Sequence, residues 1–241
     1  EMKSWVDANV PARGTALDRL RVLLTQLLDP EGLNLQYDPE RTRTAAEAFT
    51  ERRANCLSFA MLFASLAREV GVDVHYLRVA RVQSYRRMED LIIASGHMTV
   101  GYGAGPEQLI LEFRVGPELD YRASTRVDDV EVLALYYSNR GAELVGAAAL
   151  SEAVDALEVA VELDPGLPEA WANLGVARRR LGDLSGAESA YLRSIEVDDE
   201  HLPAYFNLAA LFQLRQQRDA GREMLRFLDR RSNRNPLVYL A

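Results

Sequence analysis

The stretch "AWANLGVARRRLGDLSGAESAYLRSIEVDD" (170–199) repeats the pattern of "YYSNRGAELVGAAALSEAVDALEVAVELDP" (136–165), displaced by 34 residues. A further step of 34 carries the pattern on. Tyr137, Trp171 and Tyr205 form one column, and Asn139, Asn173 and Asn207 another. Gly141, Gly175 and Ala209 form a column of small residues, followed by Ala153, Ala187 and Gly221, then by Leu157, Tyr191 and Leu225. A fixed period of this length marks a stacked array of supersecondary units. Each unit reads as a helical hairpin with small residues where its two helices cross. The large aromatic at the head of each first helix is expected to fill the gap those small residues leave. Gly182 supplies a turn between the helices. One hairpin cannot bury its apolar face alone, so the units must stack.

These residues resemble the tetratricopeptide repeat. The W-x2-L-G pattern of that family is literal at Trp171, Leu174 and Gly175. Three repeats are expected, at about 134–167, 168–201 and 202–235, and the N-terminal domain is expected to cap them. Arg140 stands where leucine is usual and Gly221 where alanine is usual. The asparagine column has two readings. It can line a concave groove and hydrogen-bond an extended peptide, with Phe206 and Arg179 nearby to add specificity, or it can be only a family preference at that position.

Composition sets the limits for the rest. The chain has 241 residues, 48% of them hydrophobic and 27% charged, which is ordinary for a globular protein. A net charge of −8 argues against a general nucleic-acid role, and Arg178-Arg179-Arg180 reads as a solvated helix face. No apolar run approaches the ~20 residues of a membrane span. One cysteine excludes an internal disulfide. The three histidines, His75, His97 and His201, are not at metal-ligand spacing, so no metal and no cofactor is expected. His75 reads as structural and His201 as a surface residue.

That cysteine lies in "RRANCLSFAMLFASLAREVG" (52–71). Cys56 heads an apolar run of helical period, with Asn55 as its N-cap. Phe59, Ala60, Phe63, Leu66, Ala67 and Val70 share a face with it, and Gly71 stops the helix. A helix N-terminus carries partial positive charge and free N–H groups, which favour a thiolate. Upstream, "TALDRLRVLLTQLL" (15–28) reads as a helix with Leu17, Leu20, Leu24 and Leu27 on one stripe, and "TRTAAEAFTERR" (42–53) as a shorter one. Downstream, "VDVHYLRVARV" (72–82), "GHMTVGYG" (96–103) and "EQLILEF" (107–113) read as strands, with "GAGP" (103–106) as a hairpin turn. "SYRRMEDLIIASG" (84–96) reads as a long connection, either a helical insert or an irregular loop.

A cysteine helix followed by an antiparallel sheet, with His97 on one strand and Glu112 on the next, gives the chain order Cys, His, acid. On "ANCLSFAMLFASLAREVGVDVHYLRV", "GHMTV" and "LILEF", the first half resembles the transglutaminase-like, papain-related cysteine-enzyme superfamily. The resemblance covers roughly 15–125 and implies an α+β fold. It implies that Cys56 is a nucleophile, His97 its base and Glu112 the group that orients His97. Glu112 stands where aspartate is usual, and Ala54 where glycine often precedes the cysteine. Asp90 and Asp120 are other acids that could fill the third role, though neither is on an expected strand. Asn55 and Tyr37 are candidates for a second oxyanion donor beside the Cys56 N–H.

The expected architecture is therefore a transglutaminase-like α+β domain over 1–125 followed by an all-α repeat domain over 126–241. "RVDDVEVLA" (126–134) is the junction, and with no Gly/Ser-rich linker the two parts are expected to pack together. The combination is similar to a bacterial two-part group whose members often carry lipoprotein-type export signals, which points to the periplasm or cell envelope, with the cytoplasm as the alternative. Two functions compete. One is a cysteine-dependent amide hydrolase, peptidase or acyl transferase acting on a peptide or protein, with the repeats recruiting substrate or partner. The other is an inactive scaffold whose repeats make protein–protein interactions. Hydrolysis and transfer are not separable from these residues, because cleft shape selects water or amine.

Overall fold

The computed structural model describes residues 1–88, 91–113 and 124–231. The chain packs as two compact units. One comprises Glu1–Val82 with Gly96–Val132, and the other Gln83–Ser95 with Leu133–Ala241. The sequence reading divides the chain once, at 125/126. The fold instead sends residues 83–95 out of the first unit and takes them back at Gly96.

The first unit begins with α1 (Met2–Asn9) and α2 (Ala16–Leu28). Helix α2 starts with a reciprocal capping box between Thr15 and Asp18 and buries Leu20, Leu23 and Leu27. The buried stripe is thus rotated from the expected one, with Leu23 inside and Leu17 and Leu24 half-buried. Strand β1 (Gln36–Tyr37) pairs in parallel with β2 (Arg53–Ala54), and between them lies α3 (Ala45–Glu51), capped by Thr44 and Glu47. Helix α4 (Cys56–Glu69) packs against α1, α2 and α3. It buries Leu57, Phe59, Leu62, Phe63 and Leu66 at the same time. A helix so enclosed has no solvent stripe, which is why its sequence is apolar nearly all round.

A four-stranded sheet follows, in the order β5-β4-β3-β6. It comprises β3 (His75–Met88), β4 (Leu91–Tyr102), β5 (Leu109–Leu111) and β6 (Ser124–Val127). Strands β4 and β5 are antiparallel, with Val100 opposite Leu111, and β6 is antiparallel to β3. The stretch expected as a connection, 84–96, is strand on both sides of 89–90: β3 runs on to Met88, and β4 starts at Leu91. Part of the expected junction is likewise strand, since β6 ends at Val127 just before the next helix. His75 is 8% exposed, at the start of β3. Burial, then the charge of Arg126, holds its imidazole below the usual histidine range.

Six helices make three hairpins: α5 (Asp129–Gly146) with α6 (Leu150–Leu163), α7 (Pro168–Leu181) with α8 (Leu184–Val197), and α9 (Leu202–Leu214) with α10 (Arg218–Arg231). They form an array of helical hairpins. The crossing of each pair is set by the small column. A Cβ on Gly175 would stand 2.4 Å from the Tyr191 ring, and one on Gly141 would stand 2.4 Å from Leu157. The fillers of these gaps are therefore Tyr191 and Leu157 of the second helices, not the aromatics at the heads of the first. Trp171 is only half-buried and donates its indole N–H to the Pro165 carbonyl at 2.9 Å. Gly182 takes the expected left-handed conformation at the end of α7. His201, expected at the surface, is 2% exposed. Among the described residues, no helix is long and apolar enough to cross a membrane.

Candidate active site

Cys56 is the first residue of α4, so its N–H is one of those with no carbonyl inside the helix to receive it. Two features deliver it there. The parallel pairing of β1 and β2 brings in the chain just before it, with Asp38 N–H donating to the Ala54 carbonyl at 2.9 Å. Asn55 then caps the helix, its Oδ1 accepting from the Ser58 N–H at 2.9 Å. The other end of the same amide donates to Thr42 Oγ1 at 2.8 Å, and the Arg43 N–H donates to Ser58 Oγ at 2.7 Å. Loop 42–43 is thereby tied to the first turn of α4. Arg43, 5% exposed, pairs with Asp38 at 2.9 Å and Glu51 at 2.7 Å, so its buried charge is matched on both sides.

His97 and Glu112 come from the sheet. Continuing the β4–β5 register from Val100 opposite Leu111 puts Glu112 opposite Thr99. His97 and Thr99 share a face of β4, so Glu112 is a diagonal neighbour of His97. His97 Nε2 lies 2.9 Å from Glu112 Oε2, with the two side chains 18% and 10% exposed. Glu112 Oε1 accepts from the Phe113 N–H at 2.9 Å, which fixes the carboxylate plane. Phe113 in turn stacks on Phe59 of α4, with ring centroids 4.8 Å apart. The sheet edge that carries Glu112 and the helix that carries Cys56 are thus packed ring on ring.

The His97 imidazole is hydrogen-bonded to Glu112, and the Cys56 side chain also favours a proton on it. Burial alone would lower its affinity for a proton. The favourable interaction with Cys56, then the donation of the ring N–H to the Glu112 carboxylate, and the negative charge of both outweigh burial and push His97 up to about 10. The structure thus joins His97 to Glu112. Asp90 and Asp120 lie outside the described residues. The Asn55 amide is committed at both ends, and Tyr37 is 42% exposed with its ring 5.8 Å from Phe113.

The asparagine column is engaged by this chain itself. Ile92 N–H donates to Asn207 Oδ1 at 2.8 Å, and Asn207 Nδ2 donates to the Ile92 carbonyl at 2.9 Å. Ala94 N–H donates to Asn173 Oδ1 at 3.3 Å, and Asn173 Nδ2 donates to the Ala94 carbonyl at 3.1 Å. Both asparagines are fully buried. The expectation of an open groove at these two positions is corrected accordingly: the extended segment they hold is residues 91–95. Asn139 is half-buried on α5, Arg179 half-buried on α7 and Phe206 half-buried on α9.

Thr42, Ser58 and Phe113 are site residues that the sequence reading missed. Ser58 was open to it, three residues past an asparagine N-cap. The others meet their partners only through tertiary packing.

No protein-family model matches the chain. A heat-shock protein cognate co-chaperone, sgt12 of Aspergillus fumigatus, is 36% identical over 64 residues, or 27% of this chain and 19% of that protein. The chain thus spans about a fifth of the length of that curated relative. The crystal structure of MamA is similar over 40% of this chain and 63% of that one, with 21% identity and a TM-score of 0.37.

Proposed function

We propose that this chain is a protein-interaction protein whose first unit, a transglutaminase-like α+β domain, carries a cysteine nucleophile for acyl chemistry on a partner's amide. The interaction part rests on the helical-repeat array and on the similarity to a co-chaperone, a protein that works on another protein. The chemical part is carried by one observation: His97 Nε2 lies 2.9 Å from the Glu112 carboxylate, and Cys56 adds to the pull on the proton of the same imidazole.

That arrangement supplies each step of acyl transfer. His97 holds the thiol proton, and Cys56 Sγ attacks the amide carbon. Glu112 fixes the ring orientation and balances the imidazolium charge. The Cys56 N–H, open at the helix start, can donate to the oxygen that becomes negative. Collapse of the tetrahedral species breaks the C–N bond as His97 returns its proton to the leaving amine. Water or a second amine then takes the acyl group from sulfur.

The test exploits Cys56 as the sole cysteine. An uncharged haloacetamide is added across a range of pH, and the modified residue is counted by intact mass. Rapid labelling at pH 6, abolished by Cys56→Ser and slowed by His97→Gln, supports the nucleophile. Labelling no faster than that of a free thiol at every pH sinks it. The second reading, an inactive scaffold acting only through its repeats, is favoured by the similarity to a co-chaperone. It predicts that second result.

A further inference from the structure

Tyr37, 42% exposed, carries the only exposed aromatic ring among the described residues. A single exposed ring is ordinary on a protein surface, and what sets this one apart is its place. Tyr37 on β1 is the register partner of Ala54 on β2, so the two Cα atoms stand about 5 Å apart, and Cys56 follows two residues later. Its ring lies 5.8 Å from that of Phe113, which directly follows Glu112 and donates its N–H to that carboxylate. Phe113 stacks in turn on Phe59, one helical turn past Cys56 on α4.

These rings form a ladder that lies wholly in the first unit. Phe59 is buried, Phe113 half-buried and Tyr37 exposed, so the ladder climbs from the core to the surface. Each rung is fixed to a segment that carries or leads into a candidate site residue: α4 for Cys56, the chain leaving β5 for Glu112, and the β1–β2 pair for the chain entering Cys56. The inner pair is stacked at 11°, whereas the outer pair is tilted at 46°. Tyr37 and Phe113 therefore do not cover each other face to face, and an apolar group can lie against both. Cys56 is itself half-buried, so a reactant has access to it from a surface that offers this one exposed ring.

We propose that Tyr37 and Phe113 seat an aromatic or large aliphatic side chain beside the amide that Cys56 attacks, so that the substrate class is a peptide or protein amide flanked by such a residue. Tyr37 is the specificity-determining residue of the two, because Phe113 already spends one face on Phe59. Tyr37 contributes the ring, a large apolar surface held with few rotatable bonds, and phenylalanine would supply the same surface. The inference rests on the reading of Cys56 as a nucleophile.

The experiment measures alkylation of Cys56 by iodoacetamide and by N-benzyl iodoacetamide, which adds one aromatic ring beside the amide. The readout is the benzyl-to-plain ratio of rate constants, divided by the same ratio for N-acetylcysteine. A change in thiol reactivity alone cancels in this ratio. The proteins are wild type, Tyr37→Phe and Tyr37→Ala, each checked by circular dichroism. The wild-type ratio should exceed that of the free thiol by at least about threefold, the worth of one aromatic contact. Tyr37→Phe should keep that preference, and Tyr37→Ala should lose most of it. A wild-type ratio equal to that of the free thiol overturns the seat, and it decides alone where Tyr37→Ala does not fold. A folded Tyr37→Ala with the wild-type ratio overturns the role of Tyr37. A wild type whose iodoacetamide rate is that of a free thiol at every pH overturns the nucleophile reading, and the substrate assignment with it, whatever the ratio.

Discussion

His97 Nε2 and Glu112 Oε2 meet at 2.9 Å although 15 residues separate them in the chain, because β5 returns antiparallel alongside β4. Replacing Glu112 by Gln keeps the shape and removes the charge. We expect His97 to lose much of its hold on the proton, with its NMR titration falling from about 10. Any amidase or acyl-transfer turnover should drop by roughly two orders of magnitude or more. An unchanged His97 titration in Glu112→Gln would mean that Cys56 alone holds the imidazolium.

The same proton ties stability to pH. The folded state holds it up to about 10, above the ordinary histidine value near 6.5. The resulting stabilisation is complete below about pH 6.5, the unfolded value, and is lost as pH rises through the folded value. Urea unfolding of wild type and His97→Gln should therefore differ most near pH 6 and converge by about pH 10. A gap that widens with alkali would reverse the assignment.

Gly175 is expected to resist even one added methyl group. A Cβ there would lie 2.4 Å from the fully buried ring of Tyr191. Gly175→Ala should destabilise the second unit by about 1–3 kcal/mol, read as a lower denaturation midpoint. Gly146, whose added Cβ would meet nothing within 4 Å, is the control position.

Asn55→Ala removes both the cap on the Ser58 N–H and the donor to Thr42. Loss of a helix cap costs about 1 kcal/mol, and a buried hydroxyl left without its donor adds to that. We expect a lower midpoint together with slower Cys56 labelling, because the turn that presents the thiol is loosened. A stability loss with unchanged labelling would show that the cap serves the fold alone.

Much of this was legible along the chain, because it depends on local rules. The helical hairpins follow from a 34-residue period, since small residues at fixed spacing are needed wherever two helices cross. The start of α4 follows from Asn55 ahead of an apolar run. His97 and Glu112 are singled out only by the resemblance to a cysteine-enzyme superfamily, and Glu112 lies one residue past β5. The stripe of α2 was misread by one position because Leu17, Leu20, Leu24 and Leu27 fit the helical period as well as Leu20, Leu23 and Leu27 do. Only the packed neighbours decide between them.

Residues 83–95 were beyond any local rule. "SYRRMEDLIIASG" has no clean alternation, because Ile92 and Ile93 are both buried, one after the other. A strand enclosed on both faces shows a run of apolar residues instead of a pattern. The sequence by itself determined the hairpin array, the cysteine at a helix start and the histidine on a strand, since each is set by neighbours a few residues or one period away. The tertiary structure alone decided that Asn173 and Asn207 would hold Ala94 and Ile92, 79 and 115 residues distant. An asparagine amide fits any extended backbone equally well, so nothing in its sequence can name the segment it will bind. Buried N–H and C=O groups must find partners, and which partners come within reach is settled only when the chain is packed.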